Sequence, residues 1–217
     1  MKKLFLLLTI SFVLFTKGYS QTFRIFDKPI SFNEERERLS LEYLKNRHGI
    51  VQEKATIQPQ MVVIHWTAVP SLEATFDVFN PVNLSGRPEL TGASSLNVSA
   101  HFLVDRDGTI FRLLPDTTFA RHTIGLNYMA IGIENIGGPD APLTKAQVKA
   151  NAELIRYLYK KHKINYLIGH HEYYDFQGTT LWKETDPNYI TSKQDPGDKF
   201  MKRLRKKLSD LPLKSKP

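Results

Sequence analysis

The chain has 217 residues, of which 41% are hydrophobic and 24% charged, with a formal net charge of +8 and no cysteine. The lack of cysteine excludes a disulfide framework, thiolate metal ligands and a cysteine-linked lipid anchor. The length suits one domain of ordinary size, stabilised by its own core.

Lys2 and Lys3 precede an apolar run, Leu4 to Phe15, followed by Gly18-Tyr19-Ser20. This is the pattern of an export signal cleaved after Ser20. The run is shorter than the roughly 20 residues of a membrane span, and an uncleaved anchor is the alternative. No later stretch is apolar enough to span a bilayer, so the mature chain is expected to be exported, periplasmic or secreted, without a transmembrane segment. Residues 21–59 form an N-terminal extension with a helix. Ser31-Phe32-Asn33-Glu34 has capping-box spacing and predicts that helix up to about His48.

Met61 to Thr67 reads as a buried strand, because its apolar residues run without alternation. Ser71 opens a helix with Leu72, Phe76 and Phe79 on one side. Residues 80–97, rich in Asn, Pro, Gly and Ser, predict a long loop of the kind that is functional or mobile. Asp107-Gly108 between two apolar runs predicts a hairpin. Ala130 to Ile136 is a further strand. Thr144 and Gln147 form a capping box for a helix to Lys163, with Val148, Ala152, Ile155 and Tyr159 as its apolar stripe. Leu167 to His170 is a strand, residues 172–194 are irregular, and Asp198 is expected to cap a last helix with Phe200, Leu204 and Leu208 inside. Strands and helices interleave, which predicts an α/β single domain with a central mixed sheet flanked by helices.

The basic residues are unevenly placed: residues 199–216 hold eight Lys and Arg against a single acid, Asp210. This reads as the solvated face of the last helix. A surface for an anionic envelope or nucleic acid is the other reading. The export signal and the lack of interleaved aromatics speak against a nucleic-acid partner.

His65 and His170 both end apolar strands, where sites gather in open α/β sheets. Taken singly, such a histidine is ordinarily a core or edge residue. His171 follows directly, and neighbours in a strand face opposite ways, so at most one of the pair faces a given site. With Asp195, the two imidazoles make a donor set suited to zinc with an open fourth position. Alternation in Ala130-Ile131-Gly132-Ile133-Glu134 puts Gly132 and Glu134 on one face. Glu134 reads equally as a general base or as a salt-bridged strand acid.

Six segments taken together carry a resemblance. They are Val63-Ile64-His65, Asn97 to Ile110, Ala120-Arg121-His122, Ile131-Gly132-Ile133-Glu134, Ile168-Gly169-His170 and Lys193-Gln194-Asp195-Pro196-Gly197. In this order they resemble the zinc-dependent N-acetylmuramoyl-L-alanine amidases, which share a fold with peptidoglycan recognition proteins and an amidase-type bacteriophage lysozyme. The resemblance covers roughly residues 60–205. It implies a catalytic domain over 60–208 and a basic tail over 209–217. It also implies Zn²⁺ held by His65, His170 and Asp195, with Glu134 as the catalytic carboxylate and Lys193 as the oxyanion-stabilising cation. His122, His101, Asn127 and Trp66 are implied as substrate-groove positions. The implied activity is hydrolysis of the amide between N-acetylmuramic acid and L-alanine in peptidoglycan or muropeptides. A non-catalytic peptidoglycan-binding module is the alternative.

One departure stands out. Asp195 follows His170 by 25 residues, a longer gap than the resemblance implies, and Thr185-Asp186-Pro187 offers a competing ligand motif. Asp195 is preferred because it alone has a lysine two residues earlier and Pro-Gly after it. Tyr173, Tyr174, Phe176, Trp182 and Tyr189 within the insert either line a groove or pack.

Overall fold

The computed structural model describes residues 23–217; the expected leader at 1–20 lies outside the described residues. The frame is a six-stranded sheet. Its strands are β1 (Ile25–Asp27), β2 (Met61–Trp66), β3 (Phe102–Val104), β4 (Ile110–Arg112), β5 (Ala130–Asn135) and β6 (Tyr166–Gly169). They lie in the order β1-β4-β3-β5-β2-β6. The β3–β4 hairpin is the one antiparallel pairing, and β1–β4, β3–β5, β2–β5 and β2–β6 are parallel. The mixed sheet follows from one tight hairpin inserted among crossover connections. At its turn the Gly108 amide donates to the Asp105 carbonyl at 2.9 Å, and φ of +92° there favours glycine.

β2 and β5 are central and buried on both faces, which explains their unbroken apolar runs. Val62, Ile64, Ile131 and Ile133 face the helices α4 (Lys145–Lys161) and α5 (Asp198–Lys207). Met61, Val63, Ala130 and Ile168 face the opposite layer, which includes Tyr173 and Phe176. Helix α4 begins as the sequence predicts. Thr144 Oγ1 accepts from the Gln147 amide at 3.1 Å and Gln147 Oε1 accepts from the Thr144 amide at 2.8 Å.

Several boundaries differ from expectation, and three of them have a clear physical reason. Helix α1 (Glu34–His48) is capped by Asn33, whose Oδ1 accepts from the Arg36 amide at 3.0 Å. Ser31 instead donates its amide to Asn80 Oδ1 at 2.9 Å, tying the helix start to the end of helix α2 (Leu72–Phe79). The capping-box spacing therefore named the wrong residue by two positions. Helix α5 starts after Gly197 without a side-chain cap, and Asp198 is its first helical residue, turned outward to His171. β6 ends at Gly169, and His170 opens a 3-10 helix running to Phe176.

The long loop over 80–97 contains a single helical turn, α3 (Pro88–Thr91). It is pinned across its base and at its middle. Asn97 donates to the carbonyls of Val78 and Pro81 at 2.8 and 2.9 Å, and Arg121 donates to the carbonyl of Leu90 at 2.7 Å. α1 belongs to the same body as the sheet. Leu39, Tyr43 and Leu44 pack with Leu96 and Phe119, and the buried Arg36 donates to the carbonyls of Phe79, Asn80 and Pro81. Three carbonyls at the end of α2 present the partial negative charge that a guanidinium without a carboxylate partner needs. Among the described residues, no helix is long and apolar enough to cross a membrane.

Candidate active site

Parallel strands deliver their C-terminal ends to one edge of the sheet, and the site gathers there. His65 is the fifth residue of β2, Glu134 the fifth of β5, and His170 directly follows β6. Asp195 arrives from the segment before α5. Nδ1 of His65 lies 2.9 Å from Nδ1 of His170 and 3.2 Å from Oδ2 of Asp195. Nδ1 of His170 lies 3.1 Å from the same Asp195 oxygen. All three residues are buried, and the three ligand atoms form a group that can hold a metal ion.

The donor set fits zinc. A tetrahedral zinc with bonds of about 2.0–2.1 Å keeps its ligand atoms roughly 3.3 Å apart, close to the spacing here. Two imidazoles and one carboxylate also match the hard and borderline donors that zinc accepts. Asp186, the competing candidate, is elsewhere: its carboxylate accepts from the Asn188 amide at 2.9 Å and lies 3.7 Å from Arg47.

The loop before α5 is held in place. The backbone amide of His171 and its Nδ1 both lie 2.9 Å from the Asp195 carbonyl oxygen. The adjacent histidines therefore divide their work: His170 meets the carboxylate, and His171 anchors the backbone. The 3-10 helix that carries both is tied to α5 through Glu172. Its Oε1 accepts from Arg205 Nη1 at 2.9 Å, and its Oε2 accepts from the Gly169 amide at 2.7 Å.

The charge states follow from burial. Burial lowers the His170 pKa to about 4, keeping the imidazole neutral, as a metal ligand must be. Burial alone would raise Asp195, but His170 and His65 outweigh it and hold the carboxylate well below its usual range. Glu134 is pushed well above the ordinary carboxylate range, first by burial and then by the Asp195 charge. Its Oε2 is buried without a hydrogen-bond partner. Such an oxygen is costly unless something in the site uses it. Burial also lowers the Lys193 pKa, partly offset by Asp195.

These residues line a cavity of about 290 Å³, whose wall also includes Trp66, Thr67, Arg87, Ser99, His122, Asn127, Tyr189 and Thr191. His122 Nδ1 lies 3.1 Å from His65 Nε2 and 2.9 Å from Thr123 Oγ1, and its Nε2 lies 3.1 Å from the Ala130 carbonyl oxygen. Gly132 makes room for this ring, because a Cβ there would meet it at 2.8 Å. Asn127 lines the cavity while its Oδ1 accepts from the amides of His122 and Thr123 at 2.8 and 2.7 Å. It shapes the loop that presents His122.

His101 is a correction. It was expected in the substrate groove, yet it is fully buried beneath it. Its Nδ1 accepts from the Gly132 amide at 3.0 Å and its Nε2 donates to the Thr118 carbonyl at 2.8 Å. Both ring nitrogens are committed to backbone, so it bridges β5 to a loop and does not reach a ligand.

The aromatic insert divides. Tyr173 and Phe176 are fully buried and pack with Trp182, while Tyr189 lines the cavity. Sequence reasoning missed Arg87, Thr191 and Asn135. Asn135 donates to the His65 carbonyl at 3.0 Å and accepts from Asn151 at 2.7 Å, so it fixes the strand end that carries His65. Only its place beside Glu134 in β5 hinted at this. The other two lie on loops with no periodic signal.

The chain is similar to the endolysin of Escherichia phage T7, 32% identical over 83 residues, which are 36% of this chain and 55% of the phage protein. The endolysin of Enterobacteria phage T3 is 31% identical over the same length. The chain thus spans about half the length of the curated relatives it matches. Among solved structures, it has the fold of N-acetylmuramoyl-L-alanine amidase LysC from Clostridium intestinale URNW. The TM-score is 0.53 at 21% identity, with 89% of this chain and 100% of the other covered. Peptidoglycan recognition protein-LE, solved in complex with tracheal cytotoxin, shares the fold at a TM-score of 0.50 and 21% identity, over 71% of this chain and 85% of the other. The match that spans most of the domain is to a family: residues 55–198 fit N-acetylmuramoyl-L-alanine amidase, and the chain belongs to that family.

Proposed function

We propose that this protein is an exported zinc hydrolase that cleaves the amide between the lactyl group of N-acetylmuramic acid and L-alanine in peptidoglycan or muropeptides. The observation that carries the reading is the meeting of His65, His170 and Asp195 in one cavity with Glu134, whose buried Oε2 has no hydrogen-bond partner. A metal cluster alone suits binding or structure. A cluster beside a desolvated carboxylate with a free oxygen suits hydrolysis.

His65, His170 and Asp195 would hold the zinc. When bound, zinc supplies Lewis-acid polarisation of a carbonyl and acidifies water. Glu134 takes a proton from the attacking water. Glu134 then delivers that proton to the leaving amine of L-alanine. Lys193, on the cavity wall, places a cation where negative charge develops on the scissile carbonyl oxygen. His122 stays neutral through burial and, from its position against His65, forms the wall beside the reacting centre.

The signal pattern at 1–20 supports export. Digestion of purified sacculi tests the activity. Released stem peptides carrying a new L-alanine amino terminus are expected. Binding to sacculi with no new amino termini, from protein shown to contain zinc, would leave only a binding module.

A further inference from the structure

We infer that helix α1, which lies outside the family match, is a positioning element for the metal-binding loop, acting through Arg47 and the insert that precedes Asp195. Arg47 Nη2 lies 2.7 Å from Glu184 Oε1, and both side chains are nearly withdrawn from solvent, at 12% and 0% exposure. The Thr185 amide donates to the Arg47 carbonyl at 3.1 Å, and Thr185 Oγ1 donates to the Asn46 carbonyl at 2.8 Å. The Arg47 guanidinium also covers the Tyr189 ring, 4.5 Å from its centre.

From there the path to the site is short. Tyr189 accepts from Arg121 Nη2 at 3.0 Å, and Arg121 lies over the ring of Tyr43 of α1, 5.2 Å from its centre. Two residues later Thr191 is clamped: its amide donates to Tyr173 Oη at 3.0 Å, and that hydroxyl donates to the Thr191 carbonyl at 2.7 Å. Tyr173 in turn packs on His170 with ring centres 5.4 Å apart. Lys193 and Asp195 follow. The insert has no regular secondary structure after Phe176, so its shape rests on such ties. A loop that must deliver a ligand atom to within tenths of an ångström needs a rigid support, and outer partners of metal ligands commonly tune affinity.

The inference concerns the metal site directly and rests on the proposed function only for its kinetic readout. The test compares Arg47→Ala, Arg47→Lys, Glu184→Gln and Thr185→Val in the mature chain. Zn²⁺ titration is expected to show affinity reduced about 10-fold or more in Arg47→Ala, the usual effect of removing an outer partner, with recovery in Arg47→Lys. In metal-free protein, amides of 184–196 should exchange faster while those of β2 and β5 keep wild-type protection. Hydrolysis should lose kcat with little change in KM. If Arg47→Ala does not fold, the milder Glu184→Gln and Thr185→Val variants carry the same expectations. Folded variants with wild-type zinc affinity and wild-type exchange across 184–196 would overturn the inference. Failure of the wild type itself to cleave muropeptides would overturn the proposed function and leave the titration and exchange results standing.

Discussion

His65 and Glu134 are register partners across the parallel strands β2 and β5. Two residues earlier in the same register, on the same face, Val63 lies opposite Gly132. A candidate metal ligand and a candidate base are thus fixed side by side by sheet hydrogen bonding, with no loop between them. Glu134→Gln should therefore keep both fold and zinc while slowing hydrolysis about 10²–10⁴-fold, the worth of a positioned acid–base group. Steady-state kinetics with metal analysis checks this, and near wild-type turnover would remove Glu134 from the mechanism.

Asp195→Asn should weaken zinc binding strongly, because the only anionic donor becomes neutral. Asp186→Asn should leave zinc nearly unchanged, since its carboxylate faces Asn188 and Arg47. Zinc content after dialysis distinguishes them. The reverse pattern would show that the ligand is Asp186, within the insert.

Lys193→Ala should retain zinc and lose turnover by roughly 10²–10³-fold, the range for one oxyanion-stabilising donor. If KM rises with kcat unchanged, Lys193 binds substrate in its ground state instead.

Gly132→Ala should disturb His122 specifically. The added methyl would meet the His122 ring at 2.8 Å. Reduced turnover with intact zinc is expected, and a fully active variant would show that His122 need not hold its position.

Stability should fall in mild acid. His48 is buried between Tyr43, Phe119 and Tyr128, and burial lowers its pKa to about 4. Burial lowers His101 to about 4 as well. The unfolded chain protonates these groups near pH 6.5, before the folded chain does. Stability from keeping them neutral is therefore complete above pH 6.5 and is lost as pH falls towards 4, by up to about 3 kcal/mol for each. His48→Phe should flatten part of this dependence, measured by denaturant unfolding between pH 4 and 7. An unchanged slope would show that His48 does not contribute.

The sequence by itself determined the α/β class, the central strands, α4 with its capping box and the β3–β4 hairpin. Each depends on a local pattern: an unbroken apolar run, a 3.6-residue stripe, a cap three residues from its partner, or a turn that favours glycine. The pattern of β5 also placed Gly132 and Glu134 on one face. What only the tertiary structure decided lies beyond such patterns. Asn33 rather than Ser31 caps α1, because Ser31 bonds to Asn80. His101 serves the backbone rather than the groove, because another strand's amide and a distant carbonyl occupy its ring. Glu184 reads as an ordinary loop acid, yet it is wholly enclosed against Arg47. Asp195 reaches the two histidines across an irregular insert with no period of its own. In each case the deciding partner is far away in the chain, and periodicity reports only what neighbouring residues do. The choice between equally plausible local readings is made by burial and hydrogen bonding to remote segments, which exist only once the sheet has formed.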